Sequence, residues 1–175
     1  MAVEARTELQ TGKIISPFKL SAANRPGEVG PWDYKQRKNL ALFYFHSAAC
    51  AACRELLRKF AANYDEYRNL ETEVLAIAKE SLAELRQVGQ EMNLPFPLLA
   101  DPEGKVFAAY IGRAEKDSHA APAVAVFVAD RYGVLYEAMT AAEADALPDE
   151  GEIRGWLEFI EIQCPECHPP EWPRE

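Results

Sequence analysis

The chain has no cysteine outside two short pairs, no basic excess and no apolar run of membrane length. Each absence removes a class of function. Its 19 Lys plus Arg stand against 28 Asp plus Glu, a formal charge of −9. So acidic a balance gives no net attraction to phosphates and argues against nucleic acid or an anionic membrane as partner. No apolar stretch approaches the ~20 residues that span a bilayer. Met1 to Leu20 lacks the basic flank, apolar centre and small-residue cleavage site of a secretory signal, so the expected location is cytoplasmic. Internal repeats and low-complexity tracts are also missing.

What remains is a chain of 175 residues, 49% apolar, enough for one compact domain with a sizeable core. Residues 1–13 are polar and read as a flexible N-terminus, 14–162 as the domain, and 163–175 as a proline-rich tail. Phe18 and Leu20 suggest a short strand, followed by turns around Asn24–Gly27 and Gly30-Pro31. Asn39 to Phe45 is a continuous apolar run of strand length, the pattern of a strand covered on both faces. From Cys50 the period changes: Leu56, Leu57, Phe60, Ala61 and Tyr64 recur at helical spacing. A buried strand over Val74–Ala78, a helix over Leu82–Met92, a short strand at Phe96–Leu99 and a short helix from Lys105 to Ile111 follow. The strand Ala123–Ala129 turns at Asp130–Gly133 into Val134–Met139, a predicted hairpin, and a last helix covers Glu150–Ile162. The order βαβα, hairpin, helix predicts an α/β fold: a central mixed sheet, mainly parallel, flanked by helices.

All four cysteines fall in two Cys-x-x-Cys pairs, Cys50/Cys53 and Cys164/Cys167, the second followed at once by His168. Such spacing can close a small disulfide, bind a metal or, with a following His, hold a haem. Cys50 sits at the predicted strand-to-helix turn, where free backbone N–H groups and the helix dipole stabilise a thiolate. Cys53, one turn on, is placed to resolve a mixed disulfide, and Arg54 to add positive potential. His46 and Glu80 are candidates for proton transfer, His because it titrates near neutrality.

The segment Phe45-His46-Ser47-Ala48-Ala49-Cys50-Ala51-Ala52-Cys53-Arg54 resembles the strand-loop-helix redox motif of the thioredoxin-like superfamily. Ala121-Pro122-Ala123-Val124-Ala125-Val126-Phe127 is similar to that family's cis-proline segment, and Phe96 to Gly104 resembles the redoxin, or AhpC/TSA, branch that includes peroxiredoxins. The resemblance implies a thioredoxin-like fold over about residues 14 to 162 and gives Pro122 the task of shaping the substrate groove. The chain departs from the pattern: Ala49 replaces the usual aromatic, Ala51-Ala52 the usual Gly-Pro, and Tyr44 the buried Asp of thioredoxin. In the peroxiredoxin register Cys53 takes the peroxidatic position, His46 the proline and Cys50 the threonine. No arginine stands at the matching place before the late strand, since Arg113 and Arg131 lie elsewhere.

The expectation is therefore a thiol–disulfide oxidoreductase that works through the Cys50/Cys53 dithiol, with no cofactor beyond that redox-active disulfide. It would act on a protein or small-molecule disulfide and draw on a thiol electron donor. The alternatives are a thiol-dependent, antioxidant peroxidase and a metal-binding or redox-sensing interaction module. Cys164/Cys167 are read as a candidate second redox pair, with zinc on Cys164, Cys167 and His168 as the rival reading. Oligomeric state is not legible.

Overall fold

In a computed structural model of the chain, residues 9–111 and 123–163 are described. Seven strands and five α-helices follow in order: β1 (Leu20–Ser21), β2 (Glu28–Val29), β3 (Asn39–Phe45), α1 (Ala51–Ala62), α2 (Tyr64–Asn69), β4 (Thr72–Ala78), α3 (Leu82–Met92), β5 (Leu98–Ala100), α4 (Lys105–Tyr110), β6 (Val124–Ala129), β7 (Leu135–Ala141) and α5 (Glu150–Glu161). β1 and β2 form a separate antiparallel pair. The main sheet has the order β5-β4-β3-β6-β7. β3 runs parallel to β4 and antiparallel to β6, and β6 and β7 form the expected antiparallel hairpin. Asp130 fixes that hairpin's turn: its carboxylate accepts from the Tyr132 and Val134 N–H groups at 2.8 and 2.9 Å, and Gly133 takes the positive φ of 78°.

β3 is apolar throughout because both of its faces are covered. Ala41, Phe43 and Phe45 point into a cluster with Leu57 and Phe60 of α1, Leu85 of α3 and Ile153 and Leu157 of α5. Leu40, Leu42 and Tyr44 point the other way, against Val106 and Tyr110 of α4 and Ile15, Val29 and Trp32 of the N-terminal segment. Full burial of each such side chain stabilises the fold by about 1.5–3 kcal/mol. Rings reinforce the first layer, where Phe60 lies between Phe43 and Tyr67 at centroid distances of 5.7 and 5.6 Å.

Local chemistry sets the helix ends. α3 opens on a capping box: the Glu84 N–H donates to Ser81 Oγ and the Ser81 N–H donates to the Glu84 carboxylate. α4 opens on buried Asp101, whose carboxylate accepts from the Lys105, Val106 and Phe107 N–H groups. The Tyr44 hydroxyl donates to the same carboxylate at 3.1 Å, so the residue standing where thioredoxin has an Asp serves a helix cap here.

The first helix is shorter than its apolar repeat predicts. It ends at Ala62, and Tyr64, expected on its face, begins α2 after the Asn63 junction. Asn39 at the start of β3 ties three elements together. Its amide donates to Leu70 O and to Glu161 Oε1 of α5, and its oxygen accepts from the Arg131 N–H. Arg131 also pairs with Glu161 at 2.6 Å.

Candidate active site

β3 is where the sheet order changes direction, since the chain goes next to β4 on one side and later to β6 on the other. The crevice at the carboxyl end of such a strand is the usual ligand position in open α/β sheets. β3 delivers His46 to Ala49 as a loop there, and Cys50 is the N-cap of α1. Its backbone is extended (φ −70°, ψ 116°), and its Sγ accepts the Cys53 N–H at 3.2 Å. A sulfur in that place replaces the usual Ser or Asp cap.

Both thiols are free. Cys50 is half-buried; Cys53, on the inner face of α1 beside Leu56 and Leu57, is 0% exposed. Burial pushes the Cys53 thiol far above the usual thiol range, and its contact with Cys50 and the charges of Cys50 and Glu143 push the same way. His46, exposed, brings Nδ1 to 4.0 Å from Cys53 Sγ. The heteroatoms of His46, Cys50 and Cys53 all lie within 4.8 Å of one another.

The loop itself is clamped through the backbone of one residue, Ala48. The Ala48 N–H donates to both Glu80 oxygens at 3.1 Å, and Ser47 Oγ donates to Glu80 Oε1 at 3.1 Å. On the other side Arg54 Nε donates to Ala48 O at 2.6 Å, while Arg54 Nη1 pairs with Glu91 of α3 at 3.2 Å.

Of the residues singled out in the sequence, Cys50, Cys53 and His46 converge. Glu80, a proton-transfer candidate by sequence, spends its carboxylate on the loop backbone, and Arg54 spends its guanidinium on Ala48 and Glu91. Glu143 was not anticipated; only its place in the loop between β7 and α5 brings it near Cys53. Pro122, Cys164, Cys167 and His168 lie outside the described residues, as does Arg113.

The model of the AhpC/TSA family matches residues 11–138, a span that contains all seven strands but for the end of β7, together with both cysteines of the first pair. The chain belongs to the AhpC/TSA family. The second cysteine pair falls beyond the matched span of this family member. A peroxiredoxin 2 from Sulfurisphaera tokodaii is 29% identical over 115 residues, 62% of this chain and 54% of that one. A peroxiredoxin from Hyperthermus butylicus is 30% identical over 134 residues, 73% of this chain and 57% of that one. The chain thus spans a little over half the length of these two relatives.

Two solved structures share the fold. The peroxidoxin BcpB of Mycobacterium tuberculosis superposes with a TM-score of 0.73 at 16% identity, covering 87% of this chain and 99% of that one. The reduced 2-Cys peroxiredoxin of Plasmodium vivax gives 0.74 at 17%, covering 86% and 81%. The expected thioredoxin-like α/β fold, a mixed central sheet with flanking helices, is therefore the fold of this family member. No helix among the described residues is long and apolar enough to cross a membrane.

Proposed function

We propose that the protein is a thiol-dependent peroxidase in which Cys50 attacks and Cys53 resolves. One observation supports the assignment of roles: Cys50 is the partly exposed cysteine and its Sγ caps α1, whereas Cys53 is wholly buried one turn behind it. The peroxiredoxin register would give the attack to Cys53. Burial favours Cys50 instead, because a peroxide must meet the sulfur in line. The relatives, named as peroxiredoxins, move the preference from disulfide exchange, the first expectation from sequence, to the peroxidase alternative.

The Cys50 thiolate attacks one oxygen of a hydroperoxide. An S–O bond forms, the O–O bond breaks, and the departing oxygen leaves as alcohol or water after taking a proton. Cys50 is then a sulfenic acid. Cys53 sulfur attacks Cys50 sulfur, the S–S bond forms, and the S–O bond breaks to release water. Cys53 must surrender its proton in that step, and His46 Nδ1 at 4.0 Å is placed to receive it. Two external thiols restore the dithiol by exchange and leave as a disulfide.

Dithiol–disulfide exchange is the second reading, favoured by both sulfurs lying in a single helical turn, which lets the same pair open a substrate disulfide. Cys53→Ser protein treated with one equivalent of hydrogen peroxide should carry a dimedone-trapped sulfenic acid on Cys50, found by mass spectrometry. Cys50→Ser should consume no peroxide above buffer. A sulfenic acid on Cys53, formed in Cys50→Ser at the wild-type rate, would reverse the roles. Insulin reduction without peroxide consumption would favour the exchange reading.

A further inference from the structure

We propose that His46, Cys50 and Cys53 in the reduced protein hold one zinc-class cation, with the fourth coordination position open to solvent. The inference deepens the peroxidase reading, because it rests on the same two thiols and supplies their regulation. Three features of the site carry it.

The first is the donor set. Two thiolates and an imidazole suit a borderline-soft divalent ion, and three protein ligands with a free fourth position are a recognised zinc arrangement. The second is distance. Zinc bonds of about 2.3 Å to sulfur and about 2.0 Å to nitrogen at tetrahedral angles place the sulfurs about 3.8 Å apart and sulfur about 3.5 Å from nitrogen. Here all three ligand atoms lie within 4.8 Å of one another, and His46 Nδ1 is 4.0 Å from Cys53 Sγ. Closing His46 onto Cys53 takes about half an ångström and the other two pairs about 1 Å or a little more at most, and His46, exposed just past the end of β3, has room to move.

The third is support around the ligands. The Cys53 N–H already donates to Cys50 Sγ, and the clamp on Ala48 holds the loop that carries His46 relative to α1. Neighbours that fix ligand orientation raise the affinity of a metal site. Two thiolate charges match a divalent ion, whose binding expels the thiol protons.

Metal and oxidant then compete for the same sulfurs. Peroxide takes two electrons from the pair, the S–S bond forms, and with two protons the peroxide leaves as two waters. The disulfide has no thiolate to offer, so the cation is released. Zinc thus silences the dithiol at low peroxide, and its release reports oxidation.

The test uses the full chain, reduced and metal-free, titrated with Co²⁺ under anaerobic conditions. One equivalent should give thiolate-to-cobalt charge-transfer absorption that Zn²⁺ abolishes by displacement. His46→Ala should weaken binding about tenfold or more, and the Cys50/Cys53 disulfide form should bind none. Cys164→Ser with Cys167→Ser should leave the absorption intact. Zinc-loaded protein should release one zinc for each disulfide formed, read with a chromogenic chelator. Absorption that survives Cys50→Ser, or disappears in the tail double variant, would overturn the site. Metal-free protein that consumes peroxide but binds no cobalt overturns the metal site alone. Protein that binds cobalt here yet never consumes peroxide overturns the peroxidase reading and keeps the site.

Discussion

Ala48 has almost no side chain, yet its backbone is held on both sides: the N–H by Glu80 and the carbonyl by Arg54. Hydrogen bonds to a charged group contribute about 1.5–3 kcal/mol, enough to fix where the following cysteine sits. Glu80 is accordingly a positioning residue. Glu80→Ala should slow peroxide turnover about tenfold and slow iodoacetamide alkylation of Cys50, and Glu80→Gln should recover part of both because its amide oxygen still accepts from Ala48. A loss of melting temperature with unchanged alkylation would reduce Glu80 to a purely structural part. The position of Cys50 was legible because an apolar run ends and a 3.6-residue period starts there. The task of Glu80 was not, since its partner is a backbone N–H 32 positions earlier that no residue pattern reports.

Helices pack here through buried polar groups as well as apolar stripes. Glu150, in the first turn of α5 and 4% exposed, accepts from the Tyr67 hydroxyl of α2 at 2.6 Å, from Arg154 at 2.9 Å and from Asn63 at 3.2 Å. Tyr67→Phe keeps the ring against Phe60 but leaves a buried carboxylate short of a donor. It should cost about 1–2 kcal/mol in urea unfolding, with little effect on peroxide turnover. A neutral result would mean that Arg154 and Asn63 satisfy Glu150 alone. The elements that bury long apolar runs were read closely from sequence: β3 runs from Asn39 to Phe45 and α3 from Leu82 to Met92 as the patterns predict. α2 was not, because Tyr64–Asn69 is six residues with one buried side chain, and Asn63 breaks the preceding helix without a Gly or Pro to mark it. β2, two residues long, leaves no period to detect.

Across the whole molecule, burial raises the phenols of Tyr34, Tyr44, Tyr64, Tyr67, Tyr110 and Tyr136, that of Tyr34 to about 12. The folded chain therefore keeps these protons at a pH where the unfolded chain has released them. Their contribution to stability is complete below the ordinary phenol value near 10 and is lost as pH climbs above it. Tyrosinate absorbance should consequently appear together with loss of circular dichroism, in one alkaline transition. Ionisation of most tyrosines near pH 10 in a chain that stays folded would contradict this. The cluster at Asn39 has a different consequence, concerning reach. It anchors Glu161 at the start of β3, while Cys50 lies past the end of that strand, at least about 20 Å away along its axis. The Asn39 cluster that pins the end of α5 and the loop that carries Cys50 thus stand at opposite ends of one strand.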